Sequence, residues 1–130
     1  MANIHVFTDA AELLKKFEEL KGGNDMLILY FTGVVNHITG QSWCPDCVVA
    51  GPNIKSKITD VTSLTVLKGT VESRDWIGKK HPYKTHGELQ AGGVPCVLLW
   101  GNGQVLARAE SRDDFRNKDL LNMIAMGEWI

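Results

Sequence analysis

Short apolar runs alternate with amphipathic stretches along the chain. Residues 4–7 form a first run of strand length, and residues 26–31 form a continuous run typical of a strand buried on both faces. Between them, apolar side chains recur at helical spacing over residues 10–20, with Thr8 or Asp9 placed to cap the helix. The beginning of the chain therefore predicts a strand-helix-strand unit with parallel strands.

The later pattern predicts more helices and strands. Gly101-Asn102-Gly103-Gln104 separates two apolar runs, and such an Asn-Gly pair predicts a β-hairpin turn rather than a phosphate-binding loop. Gly51-Pro52 should bend the second long helix. The remaining predicted elements are a helix over residues 44–57, a strand over 64–71, an irregular stretch over 72–90 with a short helix after Pro82, strands over 97–100 and 105–109, and a helix over 117–126.

This order of elements predicts an α/β fold, with a central mixed β-sheet of about five strands and helices on both faces. The 130 residues contain no repeat, low-complexity segment or linker. We therefore expect one domain over residues 1–130.

Composition and charge narrow the function classes. The net charge of −1 gives no electrostatic reason to expect a nucleic acid or an anionic membrane as partner. The apolar runs are too short to span a bilayer. No secretory signal is visible, and three cysteines are too few for a secreted disulfide scaffold. These features favour a reducing, cytoplasmic location.

The motif Trp43-Cys44-Pro45-Asp46-Cys47 carries the candidate chemistry. Its first thiol is expected at a helix N-terminus, where unpaired N–H groups favour the reactive thiolate, so we expect the pKa of Cys44 to lie below the free-thiol value of about 8.5. The second thiol, one turn later, is placed to attack the first sulfur. Asp46 could stabilise the helix, act as a base for Cys47, or oppose thiolate formation at Cys44.

Two alternatives to redox chemistry are half of a zinc site and an inert buried pair. Zinc requires four ligands, and the remaining candidates, Cys96, His81 and His86, come much later in the chain. A second Cys-x-x-Cys is absent. Redox chemistry is therefore the favoured interpretation, with no metal site and no cofactor expected.

Val94-Pro95 opens a predicted strand. A proline bond there can be cis, and the proline leaves backbone exposed for a partner chain. Cys96 follows directly, and a small buried core residue is its favoured interpretation over a third redox thiol. His37 is more simply a solvated loop residue than a group near the thiols.

Together these segments resemble the thioredoxin superfamily and, within it, the thioredoxin domain-containing protein 17 family. The motif has Pro-Asp between its cysteines where ordinary thioredoxins have Gly-Pro, and Gly93-Val94-Pro95 is similar to the family's cis-proline segment. Tyr30-Phe31-Thr32-Gly33 precedes a longer loop than thioredoxins have. Pro52 matches their helix-bending proline, and the resemblance covers essentially the whole chain in order.

The resemblance implies a thioredoxin fold and a cytosolic disulfide reductase. Cys44 would be the nucleophile and Cys47 the resolving thiol, and Trp43 and Val94-Pro95 would shape the docking groove. Pro45 and Asp46 would support the active site from within the motif. The implied partners are thioredoxin reductase as electron donor, small disulfides such as cystine, and selected protein disulfides.

The sequence gives no reason to expect an obligate dimer, and we expect a monomer. The resemblance leaves two alternatives open: a disulfide isomerase or oxidant, and a redox-responsive binding module that uses the same groove without efficient turnover. One departure from ordinary thioredoxins is Tyr30, which replaces their buried Asp. Lys68, the usual partner of that Asp, is present and is interpreted as a lysine reaching solvent from a strand end. The loop over residues 32–42 is expected to stand beside the thiols and to narrow the range of substrates.

Overall fold

Five strands form one mixed sheet in a computed structural model that describes residues 3–128. The strands are β1 (Asn3–Phe7), β2 (Leu27–Gly33), β3 (Thr65–Val71), β4 (Cys96–Gly101) and β5 (Gln104–Ala109). Their order across the sheet is β1-β3-β2-β4-β5. β1 and β2 run parallel to β3, β4 runs antiparallel to β2, and β5 runs antiparallel to β4. The mixed sheet and the late hairpin are therefore as the sequence predicts.

Helices connect the strands and cover both faces of the sheet. They are α1 (Ala10–Leu20), α2 (Pro45–Ile54), α3 (Ser73–Trp76), α4 (Pro82–Thr85) and α5 (Lys118–Met126), together with a π-helical turn at Lys55–Thr59 and a 3₁₀ turn at Asp114–Arg116. Across residues 3–128, no helix is long and apolar enough to cross a membrane.

The continuous apolar run of β2 is explained by cores on both sides of the sheet. Ile28 and Tyr30 pack on one face with α2 and α5, whereas Leu29 and Phe31 pack on the other face with α1 and α4. Alternate strand residues point to opposite faces, so a strand covered on both sides needs apolar residues at nearly every position. β2 therefore lies at the centre of the sheet, and its carboxyl end is next to the motif.

Local side chains set the ends of the long helices. Asp9 caps α1 by accepting the N–H of Ala11 at 2.9 Å, and Asn117 caps α5 by accepting the N–H of Leu120 at 3.1 Å. In the β4–β5 turn, Asn102 and Gly103 have φ of 52° and 75°, the left-handed conformations that an Asn-Gly hairpin turn requires.

Two segments differ from the predicted elements. The second long helix continues as the π-helical turn to Thr59, past the predicted end at residue 57. Pro52 lies inside α2, and the N–H of Lys55 is shared between the carbonyls of Gly51 and Pro52. The segment predicted as irregular contains α3 as well as the short helix after Pro82, because burial of Trp76 holds a single turn that has little propensity of its own.

Candidate active site

Cys44 occupies the N-cap position of α2. Its backbone is extended, Pro45 takes the first helical position, and the Cys44 sulfur accepts the N–H of Cys47 at 3.3 Å. The N–H of Cys44 itself donates to the Ser42 hydroxyl at 3.2 Å. The sulfur thus fills the place where serine or aspartate oxygens usually cap a helix, with an N–H group aimed at it.

Cys47 lies one turn inside α2 and is also held by a backbone donor. Its sulfur accepts the N–H of Gly33 at 3.4 Å, from the end of β2. Both thiols of the motif are buried, with 6% of Cys44 and 5% of Cys47 exposed. The end of β2 and the start of α2 therefore hold the two cysteines one helical turn apart, with a backbone N–H directed at each sulfur.

Trp43 is fixed by contacts that sequence reasoning did not identify. Its indole N–H donates to the carbonyl of Val71 at 2.8 Å, and the Ser42 hydroxyl donates to the carbonyl of Gly33 at 2.9 Å. A Cβ on Gly33 would lie 2.6 Å from Ser42 Oγ and 2.9 Å from the Trp43 ring. Close packing therefore requires glycine at position 33. In the sequence, the one sign of this requirement is that a glycine ends the apolar strand.

The Val94-Pro95 segment lies against the motif. The Val94-Pro95 peptide bond is cis, and the Cys44 thiol donates to the carbonyl of Val94 at 3.4 Å. The structure therefore brings the two segments singled out in the sequence into direct contact.

Asp46 forms an ion pair that crosses from α2 to the segment after β5. Arg112 Nε and Nη2 each lie 2.9 Å from Asp46 Oδ1. The partners are 66 residues apart in sequence. No local pattern marks Arg112, so sequence reasoning missed it.

The pKa of Cys44 is raised, to about 12, and the predicted lowering is wrong for this resting geometry. Burial is the main cause, and the neighbouring Cys47 thiol raises the pKa further, whereas the N–H groups of Cys47 and Asp46 lower it. The helix-terminus donors that the motif predicts are present. They are outweighed by burial, which depends on the packing of distant segments around the sulfur.

Cys96 lies next to Pro95 in a different environment. It is fully buried beside Phe31, and its thiol donates to Glu110 Oε1 at 3.7 Å. Burial, and then the negative charge of Glu110, raise the pKa of Cys96, while Arg108, which pairs with Glu110, lowers it. Within residues 3–128, no hydrogen bond joins Cys96 to either thiol of the motif.

Tyr30 and Lys68 line an open groove that reaches Cys47. Lys68 Nζ lies 5.4 Å from the centroid of the Tyr30 ring, and burial raises the pKa of Tyr30. Lys68 lies in the middle of β3, where it pairs with Tyr30 of β2, so the expected place at a strand end is wrong.

The loop before the motif is folded back on itself. Val35 and Ser42 form an isolated antiparallel bridge, and the Asn36 side chain accepts the N–H groups of Ile38 at 2.8 Å and Thr39 at 3.3 Å. Ile38 is 95% exposed, and a shallow groove runs between the loop and Trp43. His37 is an exposed residue lining that groove, and the loop stands beside the motif as expected.

The histidines considered for a zinc site lie around α4. His81 caps α4 and packs against Trp76, and His86 packs against Phe17. Of the residues from 3 to 128, one group of three possible metal ligands lies close together, Glu18, His86 and Glu88, and it includes no cysteine.

Comparison with known proteins identifies the family and the fold of the chain. Residues 4–126 match the model of the thioredoxin domain of thioredoxin domain-containing protein 17-like proteins. The chain is 32% identical over 101 residues to thioredoxin domain-containing protein 17 of Danio rerio, covering 76% of this chain and 78% of that protein. It is 33% identical over 89 residues to thioredoxin-like protein Clot of Oryza sativa, covering 62% and 63% of the two chains.

A third relative is much longer than this chain. The chain is 32% identical over 104 residues to a Leishmania infantum protein named acireductone dioxygenase, and the match spans 75% of this chain but 29% of that protein. Among solved structures, thioredoxin O2 of Arabidopsis thaliana superposes with a TM-score of 0.56 at 20% identity, covering 95% of each chain. The thioredoxin NaTrxh of Nicotiana alata gives 0.58 at 17% identity, covering 92% of this chain and 91% of that one. These likenesses show the thioredoxin fold.

Proposed function

The chain belongs to the thioredoxin domain-containing protein 17-like family, and from that premise we propose that it is a thiol–disulfide oxidoreductase acting as a disulfide reductase. The observation that carries the proposal is the place of Cys44. Its sulfur caps α2, faces the N–H of Cys47, and lies against the Val94 carbonyl. A nucleophilic sulfur, a second thiol and a backbone edge for a partner chain meet at one point.

The proposed reaction is a two-step exchange. The Cys44 thiolate attacks one sulfur of a substrate disulfide, the substrate S–S bond breaks, and a mixed disulfide forms while the first product leaves as a thiol. Cys47 then attacks the Cys44 sulfur, which releases the second product thiol. Two electrons and two protons pass from the dithiol to the substrate, and the protein is left with a Cys44–Cys47 disulfide.

Backbone donors assist both steps. The N–H groups of Cys47 and Asp46 stabilise negative charge on Cys44, although burial outweighs them in the resting state. The N–H of Gly33 is directed at Cys47, where charge develops in the second step. Because burial raises the pKa of Cys44, the first step is expected to accelerate as the pH rises.

Substrate docking along Val94-Pro95 is proposed from the same contact. In the resting state the Cys44 thiol donates a hydrogen bond to the Val94 carbonyl, and deprotonation of Cys44 removes this hydrogen bond. The carbonyl then becomes available to a backbone N–H of a bound peptide. The Trp43 ring, whose indole N–H donates to the carbonyl of Val71, lies on the side of the loop.

We further propose a cytoplasmic monomer that is recharged by thioredoxin reductase and acts on small disulfides such as cystine and on selected protein disulfides. No nucleic-acid or membrane partner is part of this proposal. We do not propose dioxygenase activity for this chain, because the matched segment makes up 29% of the Leishmania protein that carries that name.

A coupled turnover assay tests the proposal. The reduced protein is mixed with thioredoxin reductase, NADPH and cystine, and NADPH oxidation is followed. We expect many turnovers per protein molecule, and none for Cys44→Ser. One oxidation per molecule without turnover would instead support a redox-responsive binding module, provided that a known thioredoxin turns over in the same mixture.

A further inference from the structure

A small pocket lies beside the motif, between the first turns of α2 and the 3₁₀ turn. Its volume is about 50 Å³. Its apolar walls come from Val49, Ala50, Pro95 and Phe115, and its charged rim comes from Asp46, Glu110, Arg112 and Arg116. Pro95 follows Val94, whose carbonyl accepts the Cys44 thiol, and Asp46 precedes Cys47, whose N–H donates to the Cys44 sulfur. The pocket therefore lies next to the site of Cys44. The proposed reaction makes no use of it.

The cations of this rim have more unused hydrogen-bonding capacity than its anions. Arg112 directs two nitrogens at a single oxygen of Asp46, and no partner of Arg112 Nη1 is found among residues 3–128. A guanidinium has five N–H donors, so Arg112 can bind a second carboxylate while keeping Asp46. Arg116 is held loosely, at 3.8 Å from Asp113 with both side chains exposed.

The acids of the rim are better satisfied. Glu110 pairs with Arg108 and accepts the Cys96 thiol, and Asp46 accepts two N–H groups of Arg112. The pocket therefore presents free guanidinium donors next to an apolar wall. A carboxylate a few bonds from a sulfur complements that surface.

We propose that Arg112 is a specificity-determining residue that binds a carboxylate next to the scissile disulfide of the substrate. This inference rests on the proposed disulfide-reductase function and adds a preference for acidic disulfides. The carboxylate can belong to a small disulfide acid or to an acidic residue beside a half-cystine of a peptide. In the resting protein, Asp46 already takes two donors of Arg112 and partly neutralises its positive charge.

The test measures oxidation of the reduced full-length chain in a single turnover. Three small disulfides are used in excess: dithiodipropionate, which is anionic, hydroxyethyl disulfide, which is neutral, and cystamine, which is cationic. The Cys44–Cys47 disulfide is quantified by alkylation and mass spectrometry. Each rate constant of a variant is divided by that of the wild type with the same disulfide, which removes the intrinsic reactivity of the probe.

Arg112→Gln is expected to slow dithiodipropionate about fivefold, as for loss of one partly exposed ion pair, and to change hydroxyethyl disulfide less than about twofold. Lys15→Gln is the matched control. It removes the same charge from an exposed site on α1, which covers the opposite face of the sheet, and should leave all three rates unchanged. High salt should shrink the Arg112 effect.

Asp46→Asn provides a second variant with the opposite sign. It releases Arg112, so the rate with dithiodipropionate relative to hydroxyethyl disulfide should rise. Paired disulfide peptides with Glu or Gln beside the cysteine identify the source of the carboxylate. If Arg112→Gln slows the reaction of the Glu peptide, peptides use the pocket. If Arg112→Gln slows only dithiodipropionate, the pocket binds small acids.

Equal slowing of all three disulfides by Arg112→Gln would overturn the inference. Stronger slowing of cystamine than of dithiodipropionate after normalisation would also overturn it, because it would assign the rim to cations. If no disulfide oxidises the wild-type dithiol, the proposed function itself fails. Circular dichroism of each variant separates these outcomes from loss of folding.

Discussion

The first turn of α2 and the start of β4 both bury cysteine, but they surround it with different groups. The sulfurs of Cys44 and Cys47 each accept a backbone N–H. The Cys96 sulfur faces the carboxylate of Glu110. All three side chains are nearly inaccessible, so burial alone does not distinguish them.

The difference between these regions is one of charge stabilisation. An N–H group aimed at a sulfur favours the thiolate, whereas a carboxylate opposes it. The Cys44 thiol also donates to the carbonyl of Val94, in the segment along which we propose that substrate chains dock. The comparison therefore predicts that the α2 thiols react and that the β4 thiol is a packing residue.

The largest expected effect comes from removing one thiol from each region. Cys44→Ser should lower single-turnover disulfide reduction by at least about a hundredfold, because a hydroxyl is a weak nucleophile at its free pKa. Cys96→Ser should retain most of the rate. Rates are measured by quenched alkylation. A comparable loss in Cys96→Ser, with an intact fold, would erase the distinction between the regions.

The close packing behind the motif provides the next test. Gly33→Ala should lower the free energy of unfolding by about 2 kcal/mol, since the new Cβ overlaps Ser42 and Trp43. It should also slow the reaction by displacing the N–H directed at Cys47. Gly22→Ala is the control, because nothing lies within 4 Å of its Cβ. Chemical denaturation of both variants gives the comparison, and equal stabilities would contradict it.

Alkaline pH should weaken the fold through Cys96. Its pKa is raised in the folded state, so the folded protein holds the proton more tightly than the unfolded chain does. The stabilisation is complete below the unfolded pKa of about 8.5 and is lost as the pH rises above it, by about 1 kcal/mol per pH unit.

The measurement is the free energy of unfolding of wild type and Cys96→Ala from about pH 8 to about pH 10. The wild type should lose more stability over this range than the variant does, because alanine has no proton to release. Parallel curves would show that the environment of Cys96 does not disfavour its charge.

The smallest expected effect concerns the loop before Trp43. Removing residues 36–41 should raise kcat/KM for a protein disulfide relative to cystine by about two- to threefold, because the loop restricts the approach of bulky partners. Ile38→Ser keeps the loop and removes its exposed apolar side chain. This variant separates steric restriction by the loop from apolar contact between Ile38 and the substrate. An unchanged ratio in a folded variant would place selectivity elsewhere.

Much of the fold could be predicted from the sequence because the patterns that determine it act over a few neighbouring residues. The apolar run of β2, the Asp9 cap and the Asn102-Gly103 turn each act within a few residues. The single turn of α3 and the π-helical turn were harder to predict, because tertiary burial holds them rather than propensity.

Only the part of the site that lies within the motif could be predicted from the sequence. The place of Cys44 at a helix start follows from Pro45 and the preceding strand. The pKa of Cys44, the indole contact of Trp43 with Val71, and the pairing of Asp46 with Arg112 depend on segments far away in sequence. Long-range packing of this kind leaves no periodic signal.

Trapping with Cys47→Ser tests the central claim most directly. Without the resolving thiol, a substrate disulfide should remain bound to Cys44. Intact-mass and peptide mass spectrometry after incubation with cystine should find one cysteine adduct, on Cys44, and none on Cys96. An adduct mainly on Cys96, or sustained turnover by Cys47→Ser without added thiol, would contradict the assignment of attack to Cys44 and resolution to Cys47.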